Sequence, residues 1–210
     1  MLKSGGVALL VGAGDAIGAA VARRFAEGGY KVCIARREAA KSQALVDELN
    51  AAGYDVRAFS TDARDEKSVQ NLFEQVERDA GPIEVCLFNA GANVGKPLLE
   101  TTERLFFRAW QLACYAGFLV GREATRYMTE RGRGTILFTG ATASMRGGKN
   151  FAAFAAAKFG LRAVAQAMAR TWPEEYSRGS SDHGWRRRQS GDSSPLHGGQ
   201  GNRRIDAAAR

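Results

Sequence analysis

The chain begins with a continuous apolar run, Val7-Ala-Leu-Leu-Val11, that passes through the small-residue stretch Gly12 to Gly18 into Ala19–Ala26, where apolar positions recur at helical spacing. That order predicts a strand, a turn and a helix, and the alternation then repeats. Lys31–Ala35 is a short apolar strand ending at Arg36-Arg37, and a charged, alanine-rich stretch to about Ala52 predicts a helix. Val56–Ser60 is a third strand ending at Thr61-Asp62, Glu66 to about Asp79 is amphipathic, and Pro82–Phe88 is a fourth strand. A long helix is predicted from Glu103 to Arg131, broken at Gly132–Gly134; Thr135–Thr139 is a fifth strand. A small-residue loop, Gly140 to Gly148, leads to an alanine-rich helix from Phe151 to Arg170. Strands alternating with helices of these lengths call for right-handed crossovers and a parallel sheet covered on both faces, an α/β doubly wound fold.

From Thr171 the pattern changes. Ser177 to Ser194 has no apolar period and Gly198 to Arg204 none either, so residues 171–210 are expected to form an irregular, disordered tail beside a domain of residues 1–170.

Composition narrows the function classes. At 210 residues with 45% hydrophobic and 25% charged positions, the chain can bury one core and reads as a soluble globular protein. No apolar run is long enough to cross a bilayer, and the start lacks a secretion signal, so a cytoplasmic protein is expected, with no membrane partner. Cys33, Cys86 and Cys114 are widely spaced within apolar runs and read as buried free thiols. His183 and His197 both lie near the C-terminal end, which excludes a His-based mechanism or a His-rich metal site in the main body. The net charge of +8 raises nucleic acid as a partner, but the main body has no basic stripe interleaved with exposed aromatics, and nucleic acid is not expected.

The turn after the first strand carries the first candidate chemistry. Small residues at a helix start leave backbone N–H groups pointing outward at the positive end of the helix dipole, where a pyrophosphate can sit closely. Gly12 supplies the freedom for the turn and Gly18 lets the helix approach. An ordinary strand-to-helix turn would give the same local pattern; the following strand–helix alternation favours a dinucleotide.

Further motifs follow in order: Asp62 after strand three, Asn89-Ala90-Gly91 after strand four, and Lys158 on the last helix. With the glycine turn, in which Ala16 stands for a middle glycine, these make residues 5–170 resemble the short-chain dehydrogenase/reductase family. That family consists of single-domain Rossmann-type proteins that move hydride between NAD(P) and alcohols or carbonyls. The resemblance implies cofactor contacts at Gly12, Asp15, Ile17, Gly18, Arg36, Arg37, Asp62, Ala63, Asn89, Ala90, Gly91 and Lys158, with Asp62 at the adenine and Lys158 at the nicotinamide ribose. It implies a small carbonyl or alcohol substrate in a pocket formed by Ala92–Thr101, Thr142–Asn150 and the following segment. Arg36-Arg37 could pair with the 2′-phosphate of NADP, so NADP is expected; Asp15 in the turn weakens that reading and keeps NAD as the alternative.

The proton relay implied by the family is another matter. Its tyrosine, four residues before the lysine, would be lowered toward phenolate by the ammonium one helical turn away. Here that position is Phe154, which has no proton to exchange. The serine place falls at Ala141, with Thr142 and Ser144 nearby, and the asparagine place, counted back from Gly117, falls at Cys114. Only Lys158 of the four survives. Three readings stay open: a proton from Tyr115 or Thr142, a dinucleotide-binding or oligomer-forming module without turnover, or hydride transfer with its proton taken from water. A homo-oligomer through helices 103–131 and 151–170 is expected from the small residues of the last helix.

The resemblance would also supply a sixth strand after Arg170. Codons permitted for Thr171–Gln189, read one nucleotide later, can spell a peptide like that missing segment, so a frameshift near Arg170 and a C-terminally truncated, atypical member are expected. Loss of that strand would leave the sheet edge and one face of the last helix uncovered.

Overall fold

A computed structural model describes residues 5–14, 16–91 and 93–179, the stretch 172–179 by its backbone alone. The described residues form one parallel sheet flanked by helices. Its strands are β1 (Val7–Val11), β2 (Lys31–Arg36), β3 (Val56–Ser60), β4 (Ile83–Phe88) and β5 (Thr135–Phe138), in spatial order β3-β2-β1-β4-β5. The helices are α1 (Ile17–Glu27), α2 (Gln43–Ala51), α3 (Glu66–Asp79), α4 (Glu103–Trp110), α5 (Ala116–Glu130) and α6 (Ala152–Gly179).

Every residue of β1 is buried, because the central strand of a parallel sheet is covered on both faces and cannot alternate apolar with polar. Val7, Leu9 and Val11 join one core with Phe73, Phe88, Leu119, Met128 and Leu161, under α3, α5 and α6. Leu10 joins the other with Ile34, Ala22, Ala26, Val46 and Leu49, under α1 and α2. Each fully buried large side chain contributes about 1.5–3 kcal/mol. A partly buried network locks the far end of the sheet: the Arg131 guanidinium donates to both Glu77 oxygens at 2.8 and 3.0 Å and to Ile83 O at 2.9 Å, while Ile83 N donates to Glu77 Oε1 at 3.0 Å.

β1, β3 and α3 fall on the bounds expected from the pattern, and β2, β4 and β5 differ by one residue. Two helices depart from expectation. The long helix from Glu103 carries a π-helical turn, Gln111–Tyr115, between α4 and α5. The last helix runs to Gly179 rather than Arg170, through Pro173, because a helix once nucleated needs no apolar period to continue. The boundary expected at residue 171 is therefore not a break in the backbone helix. Residues 180–210 of the expected tail, with Asp15 and Ala92, lie outside the described residues.

The strand order places the site. It reverses between β1 and β4, and in such sheets ligands bind in the crevice beyond the carboxyl ends of the strands at that point. Gly12, Arg36, Asp62, Asn89 and Ala141 all follow the carboxyl end of a strand or close it.

Candidate functional site

Gly12 ties the crevice together. Its N–H donates to Ala35 O at 2.8 Å at the end of β2, and its carbonyl accepts from Asn89 Nδ2 at 3.2 Å after β4. Its φ is +83°, and a Cβ there would lie 2.5 Å from Ala90 N, so only glycine fits. At Gly18 a Cβ would lie 2.5 Å from Ala13 Cα, which is how α1 comes down onto the turn.

The start of α1 differs from those of α3 and α4. Asp65 Oδ1 accepts from Ser68 N at 2.7 Å to cap α3, and Thr102 Oγ1 accepts from Leu105 N at 3.2 Å to cap α4. No described side chain caps α1, which begins at Ala16-Ile17. Ala16, Ile17 and Gly18 line the crevice at the positive end of the helix dipole, and Ala19 N donates to Gly14 O at 3.2 Å.

Over this turn lies a cleft of about 540 Å³. Gly12, Ile17, Gly18, Arg36, Arg37, Asp62, Ala63 and Asn89–Gly91 line it, which brings together every described residue expected to hold the cofactor except Lys158. Glu38, Lys41 and Leu112 line it too, and were not foreseen. Lys41 arrives on a 3-10 turn (Ala39–Ser42); its Nζ donates to Glu38 Oε1 at 2.6 Å and its carbonyl accepts from Arg36 Nη1 at 3.3 Å. Only its spacing, one short turn past the arginine pair, hints at this in the sequence. Asp62 is held below the usual carboxylate range, first by the hydrogen bond from the Arg64 side chain.

Lys158 lies just beyond. It is 5% exposed, its Nζ donates to Thr139 O at 2.8 Å, and burial pushes its ammonium below the usual lysine range. A Cβ on Gly91 would stand 3.4 Å from that Nζ, so the missing side chain leaves the lysine beside the Asn89–Gly91 segment. Phe154, one turn earlier, is half-buried and packs edge-on against Phe151 with ring centroids 6.4 Å apart. Cys114 is buried in the π turn, where a Cβ on Gly160 would lie 2.7 Å from its Sγ, and burial raises its thiol pKa. Ala141 is half-buried, and its N–H donates to Ser144 Oγ at 3.1 Å, which commits that buried hydroxyl to the loop. Thr142 is exposed, and Tyr115 is stacked between Trp110 and Phe118.

Residues 6–176 match the family model described as short chain dehydrogenase. The chain belongs to the short-chain dehydrogenase family. A crystal structure of a short-chain dehydrogenase from Rhodopseudomonas palustris is 51% identical, with TM-score 0.78 and coverage of 81% of this chain and 80% of that one. The hydroxynaphthalene reductase-like protein Arp2 of Metarhizium brunneum is 30% identical over 167 residues, 79% of this chain. The chain spans 62% of the length of that relative. Two further short-chain dehydrogenase folds are each 26% identical: an actinorhodin polyketide ketoreductase variant with NADPH (TM-score 0.77; 81% of this chain, 66% of that one) and an NAD+-bound xylitol dehydrogenase (TM-score 0.79; 83% and 68%).

Short-chain dehydrogenases bind nicotinamide dinucleotides, and the cleft fits one. Gly14 has open space where a Cβ would stand, Ile17 and Gly18 bring the positive end of the α1 dipole to the cleft wall, and three cations stand at the β2 end. Among the described residues, no helix is long and apolar enough to cross a membrane.

Proposed function

We propose that the protein binds NADP(H) in preference to NAD(H) and is an oxidoreductase of small carbonyl or alcohol compounds whose usual proton relay is impaired. The cleft carries this reading: a glycine cradle at one end of a charged lining that includes Arg36, Arg37 and Lys41. Arginine forks and a lysine point charge suit a 2′-phosphate, and charge-assisted hydrogen bonds of that kind are worth about 1.5–3 kcal/mol, or roughly tenfold to a hundredfold in affinity. Glu38 on the same rim supports NAD(H) as the second reading, since a carboxylate there can accept from ribose hydroxyls.

The bound dinucleotide would supply hydride. Lys158 would orient its ribose, and Asn89 keeps the strand ends together beside it. Phe154, Ala141 and Cys114 stand at the places of the proton donor and its helpers, and none is an acid near neutrality: a phenyl ring, a methyl group and a buried thiol whose pKa burial raises.

Fluorescence titration with NADPH and NADH, followed by a carbonyl panel on the wild type and Phe154→Tyr, tests both halves. The expected result is tighter binding of NADPH by about tenfold or more, with carbonyl reduction appearing in the variant and near background in the wild type. Equal affinity for both dinucleotides would contradict the cofactor assignment, and wild-type turnover matching the variant would contradict the loss of the relay.

A further inference from the structure

The first two turns of α6 run along the segment that follows β4 and touch it at two places. A Cβ on Gly91 would stand 3.4 Å from Lys158 Nζ, and a Cβ on Gly95 would stand 3.1 Å from Phe151 Cε1. The Phe151 ring would also lie 3.5 Å from a Cβ on Gly148, and Lys96 N donates to Asn150 O at 2.6 Å, so the two loops are strapped together over the helix start. Positions 151, 154 and 158 share one helical face. Phe154, edge-on to Phe151 with centroids 6.4 Å apart, is therefore turned toward the strip between Gly91 and Gly95. Gly91 also lines the dinucleotide cleft, which puts the ring and the Lys158 ammonium next to it.

This constellation suits one kind of hydride acceptor. Reduction of a simple ketone leaves an alkoxide about as basic as hydroxide, whose conjugate acid has a pKa of about 15.7. It stalls where Phe154, Ala141 and Cys114 offer no proton. A quinone behaves differently: when hydride adds to its conjugated system, the displaced π pair moves through the ring to an oxygen, which becomes a phenolate. Quinone and reduced dinucleotide give hydroquinone monoanion and oxidised dinucleotide, and atoms, electrons and charge balance with no proton from the protein. A phenol has a pKa of about 10, so this anion is about five to six orders of magnitude less basic than an alkoxide and takes its proton from water afterwards. Lys158 supplies a matching cation. Its Nζ carries three donors and gives one to Thr139 O, and among the described residues no carboxylate pairs with it.

We propose that the protein is a reductase of quinones, holding the flat ring against Phe154 and Phe151 with Lys158 beside the developing phenolate. The proposal rests on the dinucleotide reading given above and narrows its carbonyl substrates to quinones. Phe154 is then a binding residue as well as the place of a missing acid: ring pairing favours a planar π system over an alicyclic one by about threefold to tenfold.

The test uses the full chain with 1,4-naphthoquinone and with 1-tetralone, a single ketone on a similar two-ring frame. NADPH affinity is measured by fluorescence titration, quinone binding to the NADP+-loaded chain by calorimetry, and NADPH oxidation above the protein-free rate with each compound from about pH 6 to 8, each variant's thermal midpoint being taken alongside. The wild type is expected to reduce the quinone about a hundredfold faster than the ketone or more, at a rate that stays flat with pH because no acid of the protein enters the step. Phe154→Leu should weaken quinone binding about threefold to tenfold with NADPH affinity kept within about twofold. Phe154→Tyr should keep quinone binding and narrow the rate ratio by gaining ketone reduction. NADPH bound with both compounds reduced equally, or with neither reduced, overturns quinone reduction and leaves the cofactor reading intact, whereas NADPH left unbound overturns both. Phe154→Leu binding the quinone as tightly as the wild type overturns the part assigned to the ring.

Discussion

Lys158 carries its charge to a place where little water reaches it. Its ordinary pKa of 10.5 is lowered in the fold by burial. Between the folded value and 10.5 the unfolded chain holds more protons than the folded one, so stability rises with pH across that interval. At neutral pH the buried ammonium is a net cost, and Lys158→Met is expected to stabilise the fold by about 1 kcal/mol, to remove the rise at alkaline pH and to weaken dinucleotide binding about tenfold. Urea unfolding from pH 7 to 10 beside a cofactor titration checks this; a destabilised variant with unchanged affinity would show Lys158 to be structural. The lysine was singled out through the family resemblance, and it lies just beyond the cleft lining, beside Gly91. Its bond to Thr139 O was not legible in the sequence, because a backbone acceptor at the end of β5 leaves no mark in residue identity. Arg64 is the same kind of case: an Asp-x-Arg spacing is common, and only the turn around Ser68 shows that the guanidinium returns to Asp62.

At the scale of elements, the outer face of α4, α5 and α6 is unusual. Phe107, Trp110, Tyr115 and Phe118 stack in sequence with centroids 6.0–6.4 Å apart, and Arg122 lies over Phe118 at 5.2 Å. Phe106, Phe107, Phe118 and Phe159 remain 37–53% exposed. Clustered exposed aromatics mark association surfaces, and we propose that this face pairs copies of the chain. Sedimentation velocity is expected to show a dimer or higher species that Phe106→Ser with Phe107→Ser shifts to monomer; a wild-type monomer at tens of micromolar would reject it. The sequence pattern pointed to these helices through the small residues of α6. On α6 Ala153, Ala155 and Ala157 are buried and Gly160 meets Cys114, and on α5 Gly117 meets Leu161 and Gly121 meets Phe138 and Met168, so these small residues serve the interior. The π turn went unseen because an inserted residue in a helix barely disturbs a periodicity already mixed by two packing faces.

In the molecule as a whole, alternation of apolar strands with amphipathic helices was sufficient to foresee the parallel sheet, and with it the crevice where β1 and β4 part. β1 was easiest to read, since burial on both faces leaves a run of five apolar residues. The rim was harder: Lys41 and Glu38 reach the cleft through a short 3-10 turn whose direction is set by the fold around it. β5 ends the sheet among the described residues, and Leu137 is exposed on it. The central claim is that the Gly12–Gly18 turn holds the diphosphate of a nicotinamide dinucleotide. Its most direct test is a crystal soaked in NADPH. The account predicts diphosphate density against the backbone N–H groups between Gly12 and Gly18, with the 2′-phosphate beside Arg37; a cradle left empty, or filled by a side chain of the protein itself, would contradict it.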